Sequence, residues 1–294
     1  GHMALDPLIL SMLIGIIAGN LLGPYRRLEA GVTLSCRIFI PLGIVLYGSQ
    51  LDVQSIRTIG AGHIVHTFLI VTAALVSVYW FSRQFGLAKR IGMLLAAGSA
   101  ICGASAIMVL SPVINADKEE TSVSLLAITV IGLAGVIIYP LAQEILELSE
   151  RTYALLCGST LYQMGQVKAA ASLVSYRALE MAMPVKLLRI GALLPIAIAF
   201  SLIAGGRAKK LYIPWFIIGS LLVAVAVNLF PSLASLRSDL APSVSFLFSI
   251  ALAGIGLTVD LEAIIDTGTK PFLVVFLGWI VLVALFSAGL KLIG

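Results

Sequence analysis

Apolar stretches of bilayer length recur along the whole chain, and they limit its fold more than any other feature. A hydrocarbon core about 30 Å thick is crossed by roughly 20 apolar residues in helical form. By that measure about ten spans can be drawn, at 8–23, 31–51, 59–81, 87–114, 121–141, 152–174, 182–203, 213–230, 244–257 and 271–292. Only 11% of the 294 residues are charged and 60% are hydrophobic, whereas a soluble domain carries about 25% charged residues. The expected fold is an all-α polytopic membrane protein with the lipid bilayer as its constant partner.

Charge narrows the function classes. The net charge is +5, but the basic residues sit in short loops between spans. That pattern sets membrane topology, and no nucleic-acid partner is expected. Ten lysines and arginines fall on the side reached after the first span, against five (Arg57, Lys118, Arg177, Arg237 and Lys291) on the other. The richer side is expected in the cytoplasm. Cys36, Cys102 and Cys157 fall within spans at spacings that fit neither a zinc site nor a disulfide framework. Neither a metal nor a cofactor is expected. Gly1-His2-Met3 reads as a cloning remnant, which leaves 4–294 as one membrane domain.

An internal repeat runs through that domain. The stretch 48–60 aligns without gaps to 256–268, with four identities over thirteen positions: Gly48 with Gly256, Asp52 with Asp260, Ile56 with Ile264 and Gly60 with Gly268. Upstream, Ile14-Gly15 and Asn20 resemble Ile218-Gly219 and Asn228. The helix triplets 8–81 and 212–293 are therefore expected to be repeat-related, around a core at 87–206. A shift of seven spans makes the two copies opposite in orientation, as in the inverted repeats of secondary transporters. Chance similarity among apolar spans is the competing explanation.

Two spans depart from lipid-facing composition. The fourth contains Gly98-Ser99-Ala100-Ile101-Cys102-Gly103-Ala104-Ser105-Ala106, nearly all small residues. Small residues let a second backbone approach closely. Glycines also permit a helix break, tolerated at membrane depth where protein or a water-filled cavity surrounds it. The sixth span holds Ser159, Thr160, Tyr162, Gln163, Gln166 and Lys168. On a continuous helix Ser159, Tyr162, Gln163 and Gln166 share one face, which lines either a solute cavity or an interhelical hydrogen-bond ladder. Neither span carries Asp or Glu. That favours an anionic solute, with Lys168 and half-helix N-termini supplying positive potential. Two broken helices crossing at the site complete the expected architecture. The candidate solute-binding residues are Ser99, Cys102, Gly103, Ser105, Ser159, Thr160, Tyr162, Gln163, Gln166 and Lys168.

Other polar residues have plainer explanations. Lys186 and Arg189 follow Pro184 and read as interfacial anchors at the start of the seventh span. Asp52 and Asp260 end their spans as caps. His63 and His66 flank the third span as bystanders. No catalytic motif stands in a convincing context, so there is no catalytic residue to name and no enzyme is expected.

Several motifs together resemble the YeiH-type sulfate exporter family. They are Ser99 to Ala106 followed by Pro112-Val113-Ile114, then Tyr139-Pro140, Gly158-Ser159-Thr160 with Gln166-Val167, Lys186-Leu187-Leu188-Arg189 leading to Leu194-Pro195, and Gly268-Thr269-Lys270-Pro271. The resemblance implies a multi-pass carrier of the bacterial inner membrane, within the superfamily of cation/proton antiporters and bile-acid symporters. It implies inverted repeats, two broken helices at the solute site, and transport of sulfate or an organic sulfonate. It also leaves room for a homodimer. Family members usually carry His-Glu where this chain has Tyr162-Gln163, and an apolar residue at Lys168. They tend to begin with a further hydrophobic span, for which the chain has no room before Ala4. Transport of a small anion is thus the leading expectation. A cation/proton exchanger or sodium-coupled carrier, and a non-transporting scaffold or sensor, stand as alternatives.

Overall fold

The computed structural model describes residues 7–22, 29–50, 60–193, 195–196, 199–200, 215–257 and 268–293. Among them every regular element is helical. In chain order the α-helices are α1 (Pro7–Leu22), α2 (Glu29–Tyr47), α3 (Ala61–Gln84), α4 (Lys89–Ala100), α5 (Ala104–Val113) and α6 (Lys118–Ile145). They continue with α7 (Glu150–Thr160), α8 (Met164–Val174), α9 (Tyr176–Gly191), α10 (Trp215–Leu229), α11 (Leu236–Leu257) and α12 (Lys270–Ile293). The chain divides into two compact units, 1–54 with 213–266 and 55–212 with 267–294.

The first unit is built from α1, α2, α10 and α11. α1 lies along α11, α10 lies against α2, and α2 and α11 pack on each other. Small residues permit this closeness. A Cβ on Gly19 would fall 2.8 Å from the Leu257 carbonyl oxygen of α11, and one on Gly219 would fall 2.9 Å from Val45 of α2. Gly15 is likewise pressed against Ala253. Asn20 and Asn228 both turn back on their own helices, donating to the carbonyls of Ile16 (2.8 Å) and Ala224 (2.7 Å). Asp52 and Asp260, and the repeat segments around them, lie outside the described residues.

The second unit holds α3 to α9 and α12. Of the described residues, the stretches Ala61–Gln84, Glu119–Ile145 and Lys270–Leu290 are helices long and apolar enough to cross a membrane by length and composition. α3 packs on α4 and α12, and α6 touches α4, α5, α8 and α12. Gly60 and Gly268, the matched glycines that precede α3 and α12, both adopt positive φ, 88° and 78°. His66 is buried on α3, stacks on Phe286 and faces Gly289 of α12, with Nε2 3.3 Å from the Leu285 carbonyl oxygen. Trp80, in the last turns of α3, is exposed.

Two boundaries differ from the expected spans, and one span is divided. α6 does not stop at residue 141 but runs through Pro140 to Ile145. Its start is fixed by a capping box, with Asp117 accepting from the Glu120 N–H and Glu120 from the Asp117 N–H. α9 begins at Tyr176, capped by the Ser175 hydroxyl, so Pro184 lies inside it. The sixth span is two helices, separated at 161–163.

Candidate functional site

The fourth span also divides. α4 ends at Ala100, and Ile101-Cys102-Gly103 turns the chain before α5 begins at Ala104. Ile101 has φ −106° and ψ −92°, and Gly103 has φ +66°. That last conformation costs an L-residue roughly 1–2 kcal/mol and costs glycine nothing. The second break contains no glycine. Leu161 (φ −67°, ψ 149°) and Gln163 (φ −100°, ψ 152°) are extended, and α8 starts at Met164.

The two breaks touch. A Cβ on Gly103 would fall 2.6 Å from Cγ of Gln163 and 3.4 Å from the main-chain carbon of Tyr162. Gln163 is held from behind by α6, where its Nε2 donates to Thr129 Oγ1 at 2.7 Å. Its main-chain N–H donates to Gln166 Oε1 at 2.9 Å, and Gln166 Nε2 reaches the Thr129 carbonyl at 3.4 Å. The Gln166 carboxamide lies over Gly132 of the same helix as Thr129.

Breaking a helix leaves carbonyls at its C-terminus without intrahelical donors. Away from water, each such group needs a partner. At the end of α4, the Ala97 and Gly98 carbonyls accept from the N–H groups of Ile101 and Gly103 at 3.0 and 2.9 Å. The next three are taken by two side chains of α9. Arg189 Nη2 donates to Ser99 at 2.5 Å, Arg189 Nε to Ala100 at 3.0 Å, and Lys186 Nζ to Ile101 at 2.8 Å. The end of α7 is treated alike. Leu161 N–H bonds the Cys157 carbonyl at 3.1 Å. Arg189 Nη1 donates to Ser159 at 2.7 Å and to Leu161 at 2.9 Å, with a longer contact of 3.4 Å to Gly158. Lys186 Nζ donates to Leu161 at 2.9 Å and to Tyr162.

Lys186 and Arg189 are each 0% exposed. Neither is the interfacial anchor expected from Pro184. Both lie past that proline in the second half of α9, a helix that began back at Tyr176. The three carbonyl oxygens around Lys186 Nζ match in number the three donors of an ammonium. Among the described residues, every hydrogen-bond acceptor of these two side chains is a main-chain carbonyl. The described residues hold no group of three or more His, Cys, Asp or Glu able to ligate a metal.

The other candidate residues distribute unevenly around the breaks. Ser105, half-buried in the first turn of α5, donates to Cys102 Sγ at 2.7 Å. Thr160 is fully buried and donates to the Leu156 carbonyl at 2.6 Å. Its Oγ1 also lies 2.5 Å from Tyr139 Oη, which accepts from Trp279 Nε1 at 2.8 Å. Tyr162 points to α12, donating to the Val275 carbonyl at 3.0 Å. The single polar face expected for Ser159, Tyr162, Gln163 and Gln166 therefore does not form. Extended backbone at Leu161 and Gln163 sends Tyr162 toward one neighbour and the two glutamines toward another. Lys168 lies half-buried in the second turn of α8, without a hydrogen bond or ion pair among the described residues.

The model of the family described as Conserved hypothetical protein 698 matches residues 1–275. A UPF0324 membrane protein of Archaeoglobus fulgidus is 32% identical over 281 residues, covering 96% of this chain and 84% of that protein. A UPF0324 membrane protein of Pseudomonas aeruginosa is 34% identical over 320 residues, covering 99% of this chain and 88% of that one. One from Oceanobacillus iheyensis is 32% identical over 287 residues, with 94% and 84% covered. No solved structure matches the chain. The helical, apolar chain with two divided spans thus belongs to the Conserved hypothetical protein 698 family, whose relatives are named membrane proteins.

Proposed function

We propose that the protein is a multi-pass secondary transporter, not an enzyme, that carries a small anion across a bacterial inner membrane by alternating access. The observation that carries this reading is the charge of the two breaks. Two fully buried basic side chains, Lys186 and Arg189, sit there, and among the described residues their acceptors are all main-chain carbonyls. They cover the negative ends of α4 and α7, while the N-termini of α5 and α8 keep their positive ends. An acid-based cation or proton site would need a carboxylate among these segments, and 151–179 and 88–116 contain none.

A solute at the breaks would meet Ser105 and the first-turn N–H groups of α5, with Lys168 attracting it from α8. Ser99, Cys102, Gly103, Ser159, Thr160, Tyr162, Gln163 and Gln166 would shape the site around it. Sulfate and organic sulfonates fit the family resemblance. The likeness of α1–α2–α3 to α10–α11–α12 supports an inverted repeat: matched glycines of like φ before α3 and α12, matched asparagines with like bonds, and reciprocal packing of the first two helices of each set. About ten spans follow if each divided helix crosses once.

Purified protein reconstituted into liposomes tests the reading with radiolabelled sulfate and a panel of sulfonates and carboxylates as competitors. Saturable anion flux is expected. Flux of protons or sodium without any anion dependence would replace the reading with a cation exchanger.

A further inference from the structure

We infer that Lys186 is a tethered cation, its ammonium filling a carbonyl site between the two breaks that would otherwise take a free monovalent cation. The proposed anion carrier then works without a coupling sodium or potassium ion. The second statement rests on the anion-carrier reading, and the first does not.

Nζ is bonded to the carbonyl oxygens of Ile101 (2.8 Å), Leu161 (2.9 Å) and Tyr162, one from the first break and two from the second. Oxygen-only ligation by carbonyls from unwound backbone and half-helix C-termini is the chemistry by which broken-helix carriers hold sodium. Here the same kind of oxygens surround a nitrogen that the chain supplies itself. Arg189, one turn further along α9, takes the neighbouring carbonyls of Ser99, Ala100, Ser159 and Leu161. Between them the two side chains occupy the oxygens around which an ion would assemble. Nζ has no fourth hydrogen left for a solute, so Lys186 is a positioning residue and not a solute ligand. Its side chain is 0% exposed, so truncation leaves three inward-facing oxygens beside an empty volume as long as the lysine stem.

Thermal unfolding of the purified protein in sodium, potassium, ammonium, methylammonium or N-methylglucamine chloride tests this. The wild-type midpoint is expected to be the same in all five salts. Lys186→Ala, prepared throughout in methylammonium chloride, is expected to unfold several degrees lower in N-methylglucamine. It is expected to recover much of that loss in ammonium or methylammonium, because a ligand bound only by the folded form raises the midpoint. A purely structural role for the lysine stem predicts no such rescue. An Ala variant with one midpoint in every salt overturns the inference. So does a variant that cannot be recovered even in methylammonium, or a wild type stabilised by sodium over N-methylglucamine. In liposomes, equal sulfate flux with sodium or N-methylglucamine is expected, and sodium-driven flux overturns the second statement. Absence of any flux would count against the anion-carrier reading and leave the unfolding result standing.

Discussion

Gly103 and Gln163 meet where the two divided helices approach each other, with the Gln163 side chain lying where a Cβ of residue 103 would be, 2.6 Å from Cγ. The glycine answers two demands at once. It takes a φ of +66° that turns the chain from α4 into α5, and it leaves room for the second break. Gly103→Ala is therefore expected to lose about 1–2 kcal/mol from the backbone conformation alone, and more from displacing Gln163. A lowered unfolding midpoint with reduced recovery of folded protein would be the readout. A midpoint equal to wild type would show that the breaks do not rest on each other.

Arg189 donates to four carbonyls within 3.0 Å and to a fifth, that of Gly158, at 3.4 Å, and only a planar fork with five N–H donors can reach them together. Lysine keeps the charge but not the fork. Arg189→Lys is thus expected to be nearly as damaging as Arg189→Ala, since each orphaned buried acceptor costs about 1–3 kcal/mol. The comparison is made by the fraction of monodisperse protein after extraction and by its unfolding midpoint. A charge-only role predicts that the lysine variant is close to wild type.

The first break is legible in the sequence because Gly103 and its small neighbours have no use on a lipid-facing helix. The second is hidden. Leu161-Tyr162-Gln163 contains no glycine or proline, and the polar residues around it repeat at helical spacing, so a continuous face is the natural expectation. Extended φ and ψ need no special residue type, and the stop is stabilised by partners distant in sequence, chiefly Lys186 and Arg189. A local signal misplaces those two. Pro184 looks like a helix start, but the Ser175 cap begins α9 well before it and carries both cations into the interior. Asking what satisfies the carbonyls freed by a break in the fourth span would point to them. Two long-stemmed cations three residues apart, inside an apolar span, are the donors such a break requires. The starts of α6 and α7, which depend on Asp117 and Ser149, rest on neighbours within the same turn and need no distant partner.

Lys168 and Lys186 are both lysines of the second unit, yet they are set to do different things. Lys168 is half-buried and makes no bond among the described residues, so nothing described in the fold depends on its charge. Lys168→Ala is expected to leave the unfolding free energy within about 0.5 kcal/mol of wild type, as for other substitutions away from buried networks. It should nonetheless weaken anion binding, by about tenfold if a partly screened charge worth roughly 1.4 kcal/mol is lost. Titration calorimetry with sulfate reads both the affinity and its dependence on salt. Unchanged affinity would remove Lys168 from the site.

Tyr139 joins three helices through one hydroxyl. Trp279 Nε1 of α12 donates to it at 2.8 Å, and it lies 2.5 Å from Thr160 Oγ1 at the end of α7. Because Thr160 Oγ1 already donates to the Leu156 carbonyl at 2.6 Å, its hydrogen is committed, and Tyr139 Oη is the donor between the two hydroxyls. Tyr139→Phe would then strip an acceptor from a buried indole N–H and a donor from Thr160 in one step. The expected loss is about 1–3 kcal/mol, the penalty for a buried polar group left without its partner. Trp279→Phe removes the indole donor while leaving Tyr139 bonded to Thr160. It should cost less in hydrogen bonding but more in packing, because the indole is stacked on the Tyr139 ring. A double-mutant cycle separates the two contributions: coupling between Tyr139→Phe and Trp279→Phe of about 1 kcal/mol or more is expected for residues in one network. Additive effects would mean that the hydroxyl does not tie α12 to the end of α7.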